Sequence, residues 1–213
     1  MIWNLLAGIW VTAAIAVPFF VPGVQDLKAT PIAFFHVPMA ISTLACFFIA
    51  AFFGAKWLFQ RDERADALSL GFGEIGFVAG CITFATGLLF ARVNWNGFWT
   101  GDPQQVGTLG ALMIYAALLT LRNSTDDEVK RRNFWAVYAI FGALVALFGM
   151  YIYSRIVPAN TSLHPNETLQ NSSAIYKWAF RFCILATLFA LCRVAILRAR
   201  LEIFAVKLRE SAF

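Results

Sequence analysis

Six apolar runs, each about as long as a bilayer is thick, recur along this chain and leave it few possible folds. A membrane-spanning helix needs roughly 20 consecutive apolar residues. The runs fall at about 2–21, 30–59, 68–91, 103–121, 134–153 and 177–197, so the expected fold is all-α, a polytopic membrane protein with six transmembrane helices. One integral membrane domain is expected over residues 1–213. Hydrophobic residues are 60% of the chain, charged residues 14%, and mean hydropathy is +0.69, well outside the usage of soluble domains.

The net charge of +5 does not point to nucleic acid, because the basic residues sit in short links between the apolar runs. One set of links carries Lys56, Arg61, Arg64, Arg122, Lys130, Arg131 and Arg132, and the chain's end adds Arg193, Arg198, Arg200, Lys207 and Arg209. The opposite side carries only Lys28, Arg92, Arg155, Lys177 and Arg181. Cytoplasmic loops hold the excess of Lys and Arg, so both termini are expected in the cytoplasm. The segment 198–213 alternates charge with Leu201, Phe204 and Leu208, the pattern of a helix lying on the inner leaflet. The first run is read as a retained helix, although Ala14-Ile15-Ala16 has the form of a cleavage site.

Several chemistries are set aside by what the runs contain. Cys46, Cys81, Cys183 and Cys192 all lie within apolar runs and form no Cys-x-x-Cys pair, so buried packing is expected of them. No phosphate-binding Gly-x-x-x-x-Gly-Lys motif is present, and an ATP-driven step would belong to another subunit. Glu74, inside the third run, is either a functional ionisable group or a side chain snorkelling towards the cytoplasm. Its neighbours Gly71, Gly73 and Gly76 suit close helix packing rather than a nucleotide loop.

The outer side gathers the polar and aromatic features. Thr30-Pro31 reads as an N-cap followed by proline at the first helical position, and Pro38 predicts a kink near His36. Between the third and fourth runs lies the hydrophilic stretch 94–105, with Trp95, Phe98, Trp99, Gly97 and Gly101. Such aromatics serve either as an interfacial belt or as a face for a flat, π-rich ligand. Asp102-Pro103-Gln104-Gln105 reads as a capping box that opens the fourth helix. A polar loop over 154–175 joins the last two runs, with glycosylation-type sequons at Asn160, Asn166 and Asn171. The chain has two histidines, His36 and His164, one on each side of the aromatic stretch in sequence and both assigned to the outer face. Either one alone is an ordinary surface or packing residue. Together, two imidazoles could fill both axial positions of a haem iron, whereas structural zinc asks for four ligands. Two histidines are too few for a two-haem electron wire.

Phe35-His36-Val37-Pro38, the Thr86-Gly87 pair, and Trp95-x-x-Phe98-Trp99-x-x-Asp102-Pro103 together resemble the CcmC/CcsA family, haem-handling membrane proteins of cytochrome c biogenesis with a tryptophan-rich segment. The resemblance runs from about His36 to the sixth run, in the shorter CcmC-like arrangement. It implies His36 and His164 as axial ligands of haem b, held weakly or in passing. It also implies haem contact by Trp95, Phe98 and Trp99, with Asp102 beside them and Arg92 or Arg155 supplying charge to the propionates. The implied activity is haem presentation at the outer face of a bacterial inner membrane, without covalent catalysis. Implied partners are a CcmE-like haem chaperone, CcmB/CcmA-like ABC permease and ATPase subunits, and membrane lipid. Gly101 stands where the family has a further tryptophan, and Gln104 where it has a basic residue. Those two departures leave an alternative open, a scaffold for an ABC-transporter complex without stable haem binding. A quinone-linked oxidoreductase lacks the second haem, the reactive cysteine and the nucleotide motif it would need.

Overall fold

The computed structural model describes residues 2–22, 30–158, 161–164 and 173–211. Helix α1 (Ile2–Ala16) is prolonged by a 3₁₀ turn over Val17–Phe19, and α2 (Thr30–Gln60), α3 (Glu63–Trp95) and α4 (Pro103–Ser124) follow. Helix α5 (Glu128–Leu147) continues through a π turn over Phe148–Ile152 into the one-turn α6 (Tyr153–Ile156), and α7 (Ala174–Ser211) ends the described chain. Among the described residues, six helices are long and apolar enough to cross a membrane, the number the apolar runs predict. The sequons at Asn160, Asn166 and Asn171, and the link containing Lys28, lie outside the described residues.

The helices are longer than the apolar runs that signalled them. Charged links expected over 60–67 and 123–133 are mostly helical, leaving only short breaks before α3 and α5. Each break ends at an aspartate cap: Asp62 accepts from the Arg64 N–H at 3.0 Å, and Asp127 accepts from the Lys130 N–H at 2.9 Å. Bilayer thickness limits the apolar part of a helix, not the polar turns extending beyond it. Helix α2 starts at Thr30 itself and runs on through Pro38. Helix α7 runs unbroken to Ser211, so the segment from 198 is the end of the sixth spanning helix rather than a separate one.

Aromatic stacking and close backbone approach hold the bundle together. Phe47 on α2 and Tyr115 on α4 stack with centroids 3.6 Å apart and planes 10° from parallel. Trp135 on α5 is fully buried and donates to Ser69 Oγ on α3 at 2.9 Å. The glycines of α3 permit this. A methyl at Gly73 would run into the Trp135 indole, and one at Gly71 would lie 2.6 Å from the Ala195 carbonyl on α7. Glu74 pairs with Arg198 Nε at 2.6 Å, and Arg198 also reaches Glu202 at 3.0 Å, so this intramembrane carboxylate ties α3 to α7. Cys46 and Cys183 are buried as expected, but Cys81 is exposed, because its position on α3 faces away from the neighbouring helices.

Candidate functional site

At the end of the bundle opposite the basic links, His36 and His164 line one cavity with Thr83, Gly87, Gln105 and Met150. Its walls come from α2, α3, α4, the π turn and the 161–164 turn. Residues far apart in sequence therefore converge here.

His36 is oriented from α3. Its Nδ1 lies 3.0 Å from the Thr83 carbonyl and 3.2 Å from Thr86 Oγ1. A carbonyl only accepts, so Nδ1 carries the hydrogen and Nε2 keeps a free lone pair. The Thr86 hydroxyl donates to the Ile82 carbonyl at 2.8 Å, which leaves its own oxygen able to accept from the ring. Thr83, Thr86 and Gly87 share one helical face, and each has a task at the ring. A methyl at Gly87 would stand 2.8 Å from His36 Cε1, so the absent side chain makes the space the imidazole fills. Phe90 lies nearly parallel to the ring, 13° off, with centroids 6.3 Å apart.

His164 is oriented by Asp102. The ring Nδ1 lies 2.9 Å from Asp102 Oδ1, and a carboxylate accepts, so here too Nε2 is the free nitrogen. Asp102 is buried and gathers four donors in all. Its Oδ1 also accepts from the Gln104 N–H at 2.8 Å, which caps α4. Its Oδ2 accepts from the Leu163 N–H and from the Ser162 hydroxyl at 3.2 Å. Burial works against the charge on Asp102, but the hydrogen bonds from His164 and from the Leu163 and Gln104 amides outweigh it and bring the carboxyl down to about 2. Asp102 therefore serves both as helix cap and as the anchor of His164. A cap was expected from sequence; the anchor was not.

The aromatic stretch is held by Gln105 rather than by a complete capping box. Gln105 Oε1 accepts from the Thr100 N–H at 2.9 Å and from its hydroxyl at 3.0 Å, while Nε2 donates to the Phe98 carbonyl at 2.9 Å. Trp95 is the last residue of α3, closed by Asn96 in a left-handed conformation (φ 58°). The Trp95 ring meets His164 edge-on at 5.1 Å and Phe90 at 5.6 Å, so aromatic contacts run from one histidine to the other. Phe98 and Trp99 face outward, 53% and 50% exposed, and Trp99 touches the cavity through Phe84 at 6.3 Å. Gly101 has φ +71°, a conformation that side chains rarely adopt. The residue read as a missing tryptophan is thus the glycine this backbone needs. Gln104 lines the cavity and donates to Ser154 Oγ at 3.0 Å, joining α4 to α6.

The two arginines part company. Arg92 bonds the Asn96 carbonyl at 2.9 Å and lies 5.9 Å above the Phe98 ring, next to the outward aromatics. Arg155 bonds the Tyr151 carbonyl at 2.9 Å and covers the Tyr151 ring at 3.6 Å; it does not line the cavity. Sequence reading missed Thr83, Phe90 and Met150, and gave Gln105 a capping role only. The spacing of Thr83, Thr86, Gly87 and Phe90 along one helical face was the available signal for two of them.

The cavity that the two histidines line is about 50 Å³, room for one or two waters at roughly 30 Å³ each and not for a porphyrin. The donor chemistry nonetheless suits an iron porphyrin. Two imidazoles are each tethered through Nδ1 with no partner at Nε2 among the described residues, and the cavity wall sets Ala40, Phe84 and Met150 beside the polar Thr83, Thr108, Gln104 and Gln105.

The family described as CcmC, Heme exporter protein C, matches residues 1–213. A protein named Heme exporter protein C from Paracoccus denitrificans (strain Pd 1222) is 20% identical over 177 residues, 81% of this chain and 72% of that protein. The cytochrome c biogenesis protein CcsA of Prochlorococcus marinus (strain MIT 9515) is 28% identical over 92 residues, 43% of this chain and 30% of that protein. CcsA of Synechococcus sp. (strain RCC307) is 30% identical over 89 residues, 42% of this chain and 29% of that protein.

Proposed function

The chain belongs to the heme exporter protein C family, and on that premise we propose that it binds haem b in passing between His36 and His164 and presents it for transfer. The observation that carries this reading is the matched pair of imidazoles on one cavity, each with Nδ1 hydrogen-bonded and Nε2 without a partner among the described residues. Haem is cargo here, and this chain performs no covalent chemistry. The Thr83 carbonyl and the Asp102 carboxylate fix the ring tautomers; hydrogen bonds of this kind also raise the basicity of the ligating nitrogen. Trp95, Phe98 and Trp99 offer stacking faces at the rim, and Arg92 is placed beside them for a propionate. Admission of a porphyrin requires the cavity walls to move apart, because the present space of about 50 Å³ is too small.

The excess of basic residues on the opposite end orients the site outward, towards the far side of a bacterial inner membrane, with both termini cytoplasmic. A CcmE-like chaperone then meets the haem at the exposed aromatic rim, while CcmB/CcmA-like permease and ATPase subunits supply any ATP-driven step. The test is an absorption spectrum of the protein purified from a haem-replete host. Low-spin bands of a six-coordinate haem, lost when the chaperone is co-expressed, support the reading; no haem in either preparation defeats it. A second reading, a scaffold that holds no haem, draws on the small size of the cavity and on Gln104 in place of a cation.

A further inference from the structure

At the end of the bundle away from the histidines, α3, α4, α5 and α7 enclose a second cavity of about 190 Å³. Its acidic side chains are already committed. Asp66 is buried in a two-pronged pair with Arg122, at 2.9 and 2.8 Å, and Arg132 approaches the same carboxylate at 3.6 Å. Glu63 accepts from Arg132 at 2.8 Å, and Glu202 accepts from Arg198 at 3.0 Å. Among the described residues, three further cations line the cavity without a comparable partner: Arg64, Arg131 and Lys207. Among the described residues Arg131 has only a distant carboxylate, Glu128 at 4.0 Å. Its Nε is buried and finds no acceptor among the described residues. A buried, charged donor left unpaired is costly, and an acceptor is expected there.

We infer that this cavity is a binding site for the phosphodiester headgroup of an anionic phospholipid, gripped by Arg64, Arg131 and Lys207. A phosphate group supplies several acceptor oxygens and the negative charge the committed carboxylates do not. The apolar members of the lining select a lipid over a free anion. Ile203 and Val206 line the same cavity, and the exposed Leu201, Phe204 and Leu208 of α7 lie next to them in the chain, an apolar surface for acyl chains. Basic pockets between spanning helices on the positively charged side have this use in general.

The test is native mass spectrometry of the protein extracted from nanodiscs holding equal amounts of phosphatidylglycerol and phosphatidylcholine. Wild type should retain phosphatidylglycerol over phosphatidylcholine by about tenfold or more, given the contribution of each cation near an anionic surface. The triple variant Arg64→Gln, Arg131→Gln, Lys207→Gln should lose the preference, while Lys130→Gln with Arg200→Gln should keep it. Arg131→Lys, which retains the charge but lacks Nε–H, should keep part of it and guards against a fold defect in the triple variant. Equal loss in both glutamine variants would mean diffuse surface charge and would overturn the site. Displacement of the lipid by millimolar inorganic phosphate alone would overturn the lipid assignment, as would capture of an acidic partner subunit with no lipid preference.

Discussion

Asp102 Oδ1 lies 2.9 Å from His164 Nδ1 across 62 residues of sequence, and the same oxygen accepts from the Gln104 amide that opens α4. One carboxylate thus fixes where a helix starts and which nitrogen of a distant histidine stays free. Its other oxygen holds the Leu163 amide, so the 161–164 turn is fastened at side chain and backbone alike.

Substitution should separate these two tasks. Asn is as good an N-cap as Asp, so Asp102→Asn should cost helix α4 little, whereas Asp102→Ala should cost it about 1 kcal/mol. Both remove the carboxylate behind His164, and loss of such a partner typically lowers metal affinity about 10–100-fold. Thermal unfolding and haem titration on the two variants check this; a haem loss confined to Asp102→Ala would mean the cap alone matters.

The carboxyl of Asp102 is depressed to about 2. A group lowered on folding contributes stability above its unfolded value, about 3.9, and that contribution fades as pH falls through the folded value. Hydrogen exchange at the Leu163 amide, corrected for intrinsic pH dependence, should therefore report no loss of this carboxylate's contribution from pH 7 to 4. Protection should fall between about pH 4 and 2. A fall tied to Asp102 that is complete by pH 4 would show that its hydrogen bonds are weaker than the geometry indicates.

Gln105 braces the rim through three hydrogen bonds. Gln105→Ala should cost about 1–3 kcal/mol, because Thr100 and Phe98 groups lose buried partners. It should also change the fluorescence of Trp99. Gln105→Glu keeps the acceptor for Thr100 and loses the donor to Phe98, so its effect should fall between wild type and Ala. An unchanged emission spectrum in all three would remove Gln105 from this role.

Placing the family's tryptophan at Gly101 should not strengthen the site. The left-handed backbone there penalises any side chain by about 1–2 kcal/mol. Gly101→Trp and Gly101→Ala should thus both lower stability in urea or thermal melts. Gly101→Trp with stability intact and haem retention raised would contradict the backbone argument.

At the other end, Asp66 and Arg122 are both buried and doubly bonded. Removing one partner leaves a bare charge and should cost about 3–5 kcal/mol, as Asp66→Ala or Arg122→Ala. Asp66→Leu with Arg122→Met should recover much of that loss, measured by the same melts.

These residues also show what the sequence could and could not reveal. Six spans were legible because bilayer thickness writes itself into run length, and the cap at Asp102 because Asp-Pro is a local signal. Helix ends were not, since charged turns such as 128–133 carry no apolar signal and still continue the helix. The hold of Asp102 on His164 joins residues far apart in the chain, and no local pattern announces it. Gly101 was read as a lost tryptophan because sequence shows side chains, whereas the position is set by φ. Arg155, a candidate propionate partner by its side of the membrane, turns to Tyr151 one helical turn away.

The central claim is that His36 and His164 hold one haem between them. Its most direct measurement is haem content, by pyridine haemochrome, of wild type, His36→Ala and His164→Ala purified from one haem-replete host. The account predicts haem in the wild type and a loss of low-spin haem in each single variant. Haem retained at wild-type level in both variants would contradict it.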